Sequence, residues 1–201
     1  MKQIITIFII GMLTANISYS QAVDDRAVVP VSVTLNSILR LNVESGGNVE
    51  FNFNTLDQYR NGIPNSARYN TNISIASSVN WQLRMGAEDA SLVTTDSVGG
   101  GGDMDLSYIG YQITSSGTGS NYTYSTGADA AVQPLEQIGV GADLIITDNG
   151  SGNAGSAEMN AFTINWECGT GFTGSPGSLL GSSLTGGRYS TNVFFILEPT
   201  P

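Results

Sequence analysis

Histidine is missing from the 201-residue chain, lysine occurs once, at Lys2, and cysteine once, at Cys168. Without histidine there is neither the common zinc ligand nor the common general base. No lysine follows Lys2, so a Ser–Lys nucleophile is excluded beyond the first residues. One thiol cannot form an internal bridge, so the fold must be held by its apolar core. Charged residues make up only 12% of the chain, and no segment carries a convincing helical repeat beyond a short candidate at Leu56 to Tyr59.

Gly, Ser, Thr and Asn fill the space that charge and helix leave. The opening MKQIITIFIIGMLTANISYSQA has the build of a secretory signal, with Lys2 at the positive end and Ile4 to Leu13 as the apolar run. Small residues Ser18 and Ser20 allow cleavage before Gln21, with cleavage after Ala22 as the alternative. This divides the chain into a signal, residues 1–20, and a single domain, residues 21–201. The apolar run falls short of the roughly 20 residues of a membrane span, and no transmembrane segment is expected after cleavage. From Gln21 onward six arginines face seventeen carboxylates, a net charge of −11. That balance argues against nucleic acid and anionic membrane surfaces as partners. A secreted, periplasmic or cell-surface location is expected.

Alternation with a period of two recurs along the chain. Val29, Val31, Val33 and Leu35 read as a first strand, with Pro30 placing that end at an edge or strand start. Leu39, Leu41 and Val43 alternate, Ser45-Gly46-Gly47-Asn48 makes a turn, and Val49, Phe51 and Phe53 alternate again, the clearest hairpin pattern present. Residues 69–85 hold a central strand pair, with Ile73 and Ile75 before the break at Ala76-Ser77-Ser78 and Val79, Trp81, Leu83 and Met85 after it. The stretch from Gly86 to Asp105 is expected to be a polar connection containing the mobile run Gly99 to Gly102. Strand character returns at Leu106 to Thr114, Tyr122 to Tyr124, Ala142 to Thr147 and Met159 to Glu167, where Phe162, Ile164 and Trp166 alternate. The final run puts Tyr189, Val193, Phe195 and Leu197 on one face, with Phe194 and Ile196 on the other. Eight to ten strands between Gly-rich turns suit an all-β, immunoglobulin-like antiparallel β-sandwich, with a closed barrel as the alternative. Trp81, Leu83, Trp166, Tyr189 and Val193 are the expected core.

Two blocks, NISIASSVNWQLRM and LTGGRYSTNVFFILE, together with the earlier FNFNTLD, resemble bacterial cell-surface β-sandwich proteins of the spore-coat-U-like, fimbrial-subunit-like and WxL-like group. The resemblance rests on Ser78, Trp81 and Leu83 in an S-x-x-W-x-L pattern and on Gly187, Tyr189 and Val193 in a later G-x-Y-x-x-x-V pattern. It implies a β-sandwich placed in an assembly or at a cell surface. The chain departs from it in having no cysteine pair and in carrying Trp166-Glu167-Cys168 where a second W-x-L would stand.

Few constellations point to chemistry. Asp103-x-Asp105 and the loop from Asp148 to Asn153 offer oxygen ligands of the kind calcium takes, though Asp, Asn and Gly also make ordinary turns. Asp57 with Glu88 or Asp89 is the available carboxylate pair for a hydrolase. Cys168 has no recognisable base partner. Tyr108, Tyr111, Tyr122 and Tyr124 offer rings for a surface glycan or for cross-strand packing. Phe194 and Ile196 make the last strand apolar on both faces, so it is either covered by a Gly-rich loop such as Gly169 to Leu184 or meets another subunit in a protein assembly. The number of such loops favours internal cover. The expected function is a non-catalytic secreted or cell-envelope structural or adhesive protein, a candidate subunit of an assembly. A carbohydrate- or surface-ligand-binding module and a secreted hydrolase are the alternatives, and no cofactor other than calcium is suggested.

Overall fold

The computed structural model describes residues 29–96, 102–140 and 143–200. The signal segment, most of the run from Gly99 to Gly102 and Ala142 lie outside the described residues. The chain divides into two units, Met1–Leu35 and Asn36–Pro201. In the first unit, residues 29–35 join no strand, and Val29, Val31, Val33 and Leu35 are 78%, 85%, 78% and 90% exposed. The expected first strand is therefore not part of any sheet. Its alternation is sound, but alternation alone does not make a strand, which also needs a neighbour's backbone groups.

The second unit is all-β and sandwich-like, built from antiparallel sheets. β1 (Leu39–Ser45), β2 (Asn70–Ser77), β10 (Ala161–Cys168), β6 (Ile109–Ser115) and β8 (Gln133–Pro134) form one sheet in the order β1-β2-β10-β6-β8. β12 (Val193–Pro199), β3 (Trp81–Ala87), β9 (Leu144–Asp148) and β7 (Tyr122–Thr123) form the second, in the order β12-β3-β9-β7. β11 (Tyr189–Ser190), β4 (Ser91–Thr94) and β5 (Met104–Asp105) make a small third sheet. The stretch expected to be a polar connection thus carries β4 and β5, anchored by buried Leu92 and Met104.

The expected central pair, β2 and β3, does not pair. The two strands are consecutive in the chain but belong to different sheets, and the break at residues 76–78 is where the chain crosses between them. Ser77 holds the corner, its hydroxyl donating to Val79 O while accepting from Val79 N. Each strand keeps its period of two, so Ile73 and Ile75 from one sheet and Trp81, Leu83 and Met85 from the other are buried in one core. Phe162, Ile164, Ile113, Ile145 and Ile146 complete its centre. Trp81 meets Phe162 edge-on at 6.0 Å, and Tyr122 meets the same ring at 5.0 Å.

The expected hairpin between residues 39–43 and 49–53 is also replaced. β1 pairs with β2, Leu41 opposite Ile75, and the register shifts between Val43 and Ser45 before the ladder ends with Ser45 opposite Asn72. Gly46 follows at φ +70°, where an added Cβ would stand 1.9 Å from Asn70 O. Only glycine fits that close approach. The chain then runs on through residues 48–54 without joining a strand, and Val49, Phe51 and Phe53 pack half-buried against the core. The helix candidate at Leu56 becomes α1 (Leu56–Asn61), started by Thr55 and Gln58 in a reciprocal capping box.

The two margins of the sandwich differ. At one, residues 124–138 lace the sheets together. Ala128 O accepts from Ile113 N, and Leu135 N donates to Ile109 O, both in the first sheet. Ser125 N donates to Ile145 O, while Ala87 donates to Glu136 O and accepts from Ile138 N, all on the second sheet. At the other margin lie β1 and β12, which are edge strands of different sheets and approach each other. Their core-facing residues Leu39, Leu41, Val193, Phe195 and Leu197 are only half-buried, unlike those of the inner strands. Among the described residues no helix is long and apolar enough to cross a membrane.

Candidate functional site

The loops that suggested calcium use their oxygens internally. Asp103 Oδ1 accepts from Thr94 N at 3.0 Å, tying β5 to β4. Asp105 caps the short 3-10 turn at residues 106–108, accepting from Ser107 N at 2.8 Å, and the Ser107 hydroxyl and amide hold its pKa below the ordinary value. Asp148 Oδ1 accepts from Gly152 N at 2.8 Å and closes its own loop. Asn153 is buried, and its side chain brackets the Trp81 backbone: Oδ1 accepts from Trp81 N at 2.9 Å while Nδ2 donates to Trp81 O at 2.8 Å. The Trp81 indole N–H donates to Asn153 O at 2.9 Å. Asn153 therefore supports β3 like a borrowed strand, with its amide oxygen already taken. No cluster of three His, Cys, Asp or Glu side chains suited to a metal occurs among the described residues.

The carboxylates proposed for hydrolysis are engaged apart. Asp57 accepts from Asn61 Nδ2 at 2.7 Å across one turn of α1. Glu88 accepts from Asn192 Nδ2 at 2.6 Å, and Asp89 receives the Thr191 hydroxyl at 3.3 Å, so both fasten the β3–β4 turn to the start of β12. Cys168 is buried, and burial pushes its thiol up to about 12. It is a poor nucleophile in that state.

The tyrosines do not form an exposed platform. Tyr111 is buried and Tyr108, Tyr122 and Tyr124 pack half-buried on the core. Tyr122 shares its hydroxyl proton between Met159 O at 2.7 Å and Asn160 Oδ1 at 2.6 Å, and desolvation raises its pKa to about 12. A shallow cavity of about 160 Å³ beside it is lined by Asn121, Asn153 and Asn160. Those amides are already bonded to Gly152, Trp81, Asn153 and Tyr122.

Of the expected core, Trp81, Leu83 and Trp166 are buried, Trp166 donating its indole N–H to Thr71 Oγ1 at 2.9 Å. Tyr189 and Val193 are half-buried, and the final run divides between them. Tyr189 belongs to β11 and pairs with β4, whereas Val193 opens β12 and pairs with β3.

The remaining feature is the free edge of β12. Its register sets Ile196 opposite Arg84 and Phe194 opposite Gly86. Arg84 is drawn away to Asp143, at 2.7 Å, and to Glu198, at 3.4 Å, and Asp143 raises its pKa. Gly86 has no side chain to lend, since a Cβ there would stand 2.6 Å from Ile138 N in the lacing segment. Phe194 and Ile196 are left 43% and 39% exposed. Internal cover of these two residues, favoured on sequence grounds, is not what the structure has. β12 bonds to β3 on one side, and its other side pairs with no strand among the described residues. An edge that is long, apolar and unpaired invites another strand. The sequence showed the apolar outer face, but not the open side, which depends on the order of strands. No family model matches the chain, and no curated protein matches it.

Proposed function

We propose that this protein is a non-catalytic, secreted or cell-envelope structural subunit that enters a protein assembly through the β12 edge. The observation that carries the reading is the exposure of Phe194 and Ile196 on a seven-residue edge strand whose other side has no partner among the described residues. Full burial of such side chains is worth on the order of 1.5–3 kcal/mol each, so a partner seated on this edge has a substantial driving force. The signal-like opening and the resemblance to bacterial surface β-sandwich proteins support the same assignment. So does the way the carboxylates and Cys168 are used: each holds a turn or fills the core.

The test has two parts. Fractionation of cells expressing the full chain is expected to recover a processed protein outside the cytoplasm; an uncleaved cytoplasmic product would overturn the location. The solution mass of the processed protein is expected to exceed that of one chain and to fall to a folded monomer in Phe194→Ser/Ile196→Thr. A monomeric parent that unfolds on the same substitution would sink the interface.

A further inference from the structure

We propose that Asn149-Gly150 is a self-modification site, at which the folded chain converts the Asn149 amide into aspartate and isoaspartate with water as the co-reactant. The chain holds two Asn-Gly pairs, Asn61-Gly62 and Asn149-Gly150, so it carries its own comparison. A glycine after asparagine leaves the following backbone nitrogen unshielded by a side chain, and that nitrogen is the one that attacks. Sequence makes the two pairs alike. The fold makes them different.

At Asn61 both reacting groups are held. The side-chain Nδ2, which would leave, donates to Asp57 Oδ1 at 2.7 Å, and the Gly62 N–H, which would attack, donates to Gln58 O at 2.8 Å. A Cβ built at Gly62 would stand 2.3 Å from the Gly169 carbonyl carbon, so the backbone there has little room to turn. At Asn149 the reverse holds. Asn149, Gly150 and Ser151 are exposed, and Gly150 sits at φ +91° with nothing within 4 Å of an added Cβ. The Gly150 N–H has no hydrogen-bond partner among the described residues. The Asn149 side chain is itself bonded in a way that helps the reaction, since Ser151 N donates to its Oδ1 at 3.1 Å. That oxygen takes the negative charge when the amide carbon is attacked, and a fixed N–H stabilises it there.

A hydroxide ion takes the Gly150 amide proton and is returned when water protonates the departing nitrogen. The Gly150 nitrogen forms a bond to Asn149 Cγ, and the Cγ–Nδ2 bond breaks to release ammonia, leaving a cyclic succinimide. Water then opens the ring at either carbonyl. One opening gives aspartate; the other gives isoaspartate, whose main chain runs through the former side-chain carbon and is longer by that carbon. Both products place a new negative charge beside Asp148. The longer link falls inside a tight loop, in which Gly152 N donates to Asp148 Oδ1 at 2.8 Å and Asn149 N donates to Asn121 O at 3.3 Å. Asn153, which brackets the Trp81 backbone, follows Gly152 directly. Isoaspartate at this position therefore works against the support of β3, whereas aspartate adds only charge.

The experiment incubates protein purified from cells expressing the full chain in mildly alkaline buffer, native or in concentrated urea. Peptide mapping by mass spectrometry follows both asparagines. In the native protein Asn149 is expected to convert at least about tenfold faster than Asn61, since two hydrogen bonds must open before Asn61 can react. In urea the two rates are expected to converge. Equal native rates would overturn the proposal. A gap that persists unchanged in urea would assign the preference to neighbouring sequence and overturn the part played by the fold. Ser151→Pro, which removes the N–H bonded to Oδ1, is expected to slow Asn149 several-fold, and Ser151→Ala, which keeps it, is not. A rate untouched by the proline, or slowed equally by the alanine, would overturn the support assigned to that N–H. The separated isoaspartate fraction is expected to melt below Asn149→Asp, and equal melting temperatures would overturn the coupling to the Trp81 bracket.

Discussion

One margin of this sandwich is sewn and the other is not, and they were built by different means. At the sewn margin β7 and β8 are only two residues long, and their shortness leaves little edge exposed. Backbone hydrogen bonds from residues 124–138 reach both sheets, and Ala128 and Leu135 fill the core beneath. At the unsewn margin β1 and β12 are each seven residues long and meet no such lacing among the described residues. Apolar side chains are not lacking there, with Leu39, Leu41, Val193, Phe195 and Leu197 all turned to the core. Closure of the core therefore depends here on a strand's backbone being present, more than on hydrophobicity.

The contrast can be broken first at the centre that both margins share. Trp81→Ala or Phe162→Ala removes a fully buried ring and is expected to cost about 3–5 kcal/mol in denaturant unfolding. A cost below about 1 kcal/mol would mean that the core is not packed as described. Leu135→Ala, at the sewn margin, is expected to cost about 2–5 kcal/mol, and Phe195→Ala, half-buried at the open margin, clearly less in a monomeric background. Equal costs would erase the distinction between the margins. Asn153→Ala strips the bracket from the Trp81 backbone, leaving a buried N–H and carbonyl unpaired, and is expected to cost about 1–3 kcal/mol.

Smaller effects sharpen the same picture. Cys168 is expected to resist alkylation in the native state and to react once the protein is unfolded. Its folded pKa of about 12 lies above the ordinary 9.0, so its contribution to stability is fully present below pH 9 and is lost as pH rises towards 12. Urea midpoints measured across that range check the sign, and a midpoint that rose with pH would contradict the burial. Smallest of all, Phe194→Ser/Ile196→Thr is expected to change the stability of the isolated fold by no more than about 0.5 kcal/mol, because both side chains are substantially exposed.

The legible part of the fold was the part that a period of two controls. The alternation around Ile73, Trp81 and Phe162 marked strands, and these residues lie in the core. What alternation cannot specify is which strand bonds to which. β2 and β3 read as neighbours because they are consecutive, yet the corner at Ser77 sends them to opposite sheets. The hairpin reading failed for a related reason, since Gly46 packs against Asn70 instead of turning the chain back on β1. Residues 29–35 show the limit most plainly: a strand pattern states what face a segment can offer and says nothing of who accepts it. The apolar outer face of Phe194 and Ile196 was visible, but its exposure depended on Gly86 and on Arg84 turning to Asp143. The service of Asn153 as a backbone bracket had no local signal, because its partner lies 72 positions away.

The corner between β2 and β3 also fixes when this protein can exist as a folded object. β3 finds its long partner only in β12, with Trp81 opposite Pro199, more than a hundred positions later. β2 has β1 beside it early, but its other neighbour is β10, with Ile73 opposite Phe162. Pairings so distant in the chain are slow, of the kind that takes milliseconds to seconds in small β domains. As the chain emerges in order, β3 with Trp81, Leu83 and Met85 stays without its lateral partner until β12 has arrived. A chain cut short near Tyr189 would retain most of its apolar residues and lack the strand that completes their second sheet. For this protein the interval between the emergence of β3 and that of β12 is a period of exposure, and whatever handles the chain in transit meets β3 with that edge unpaired.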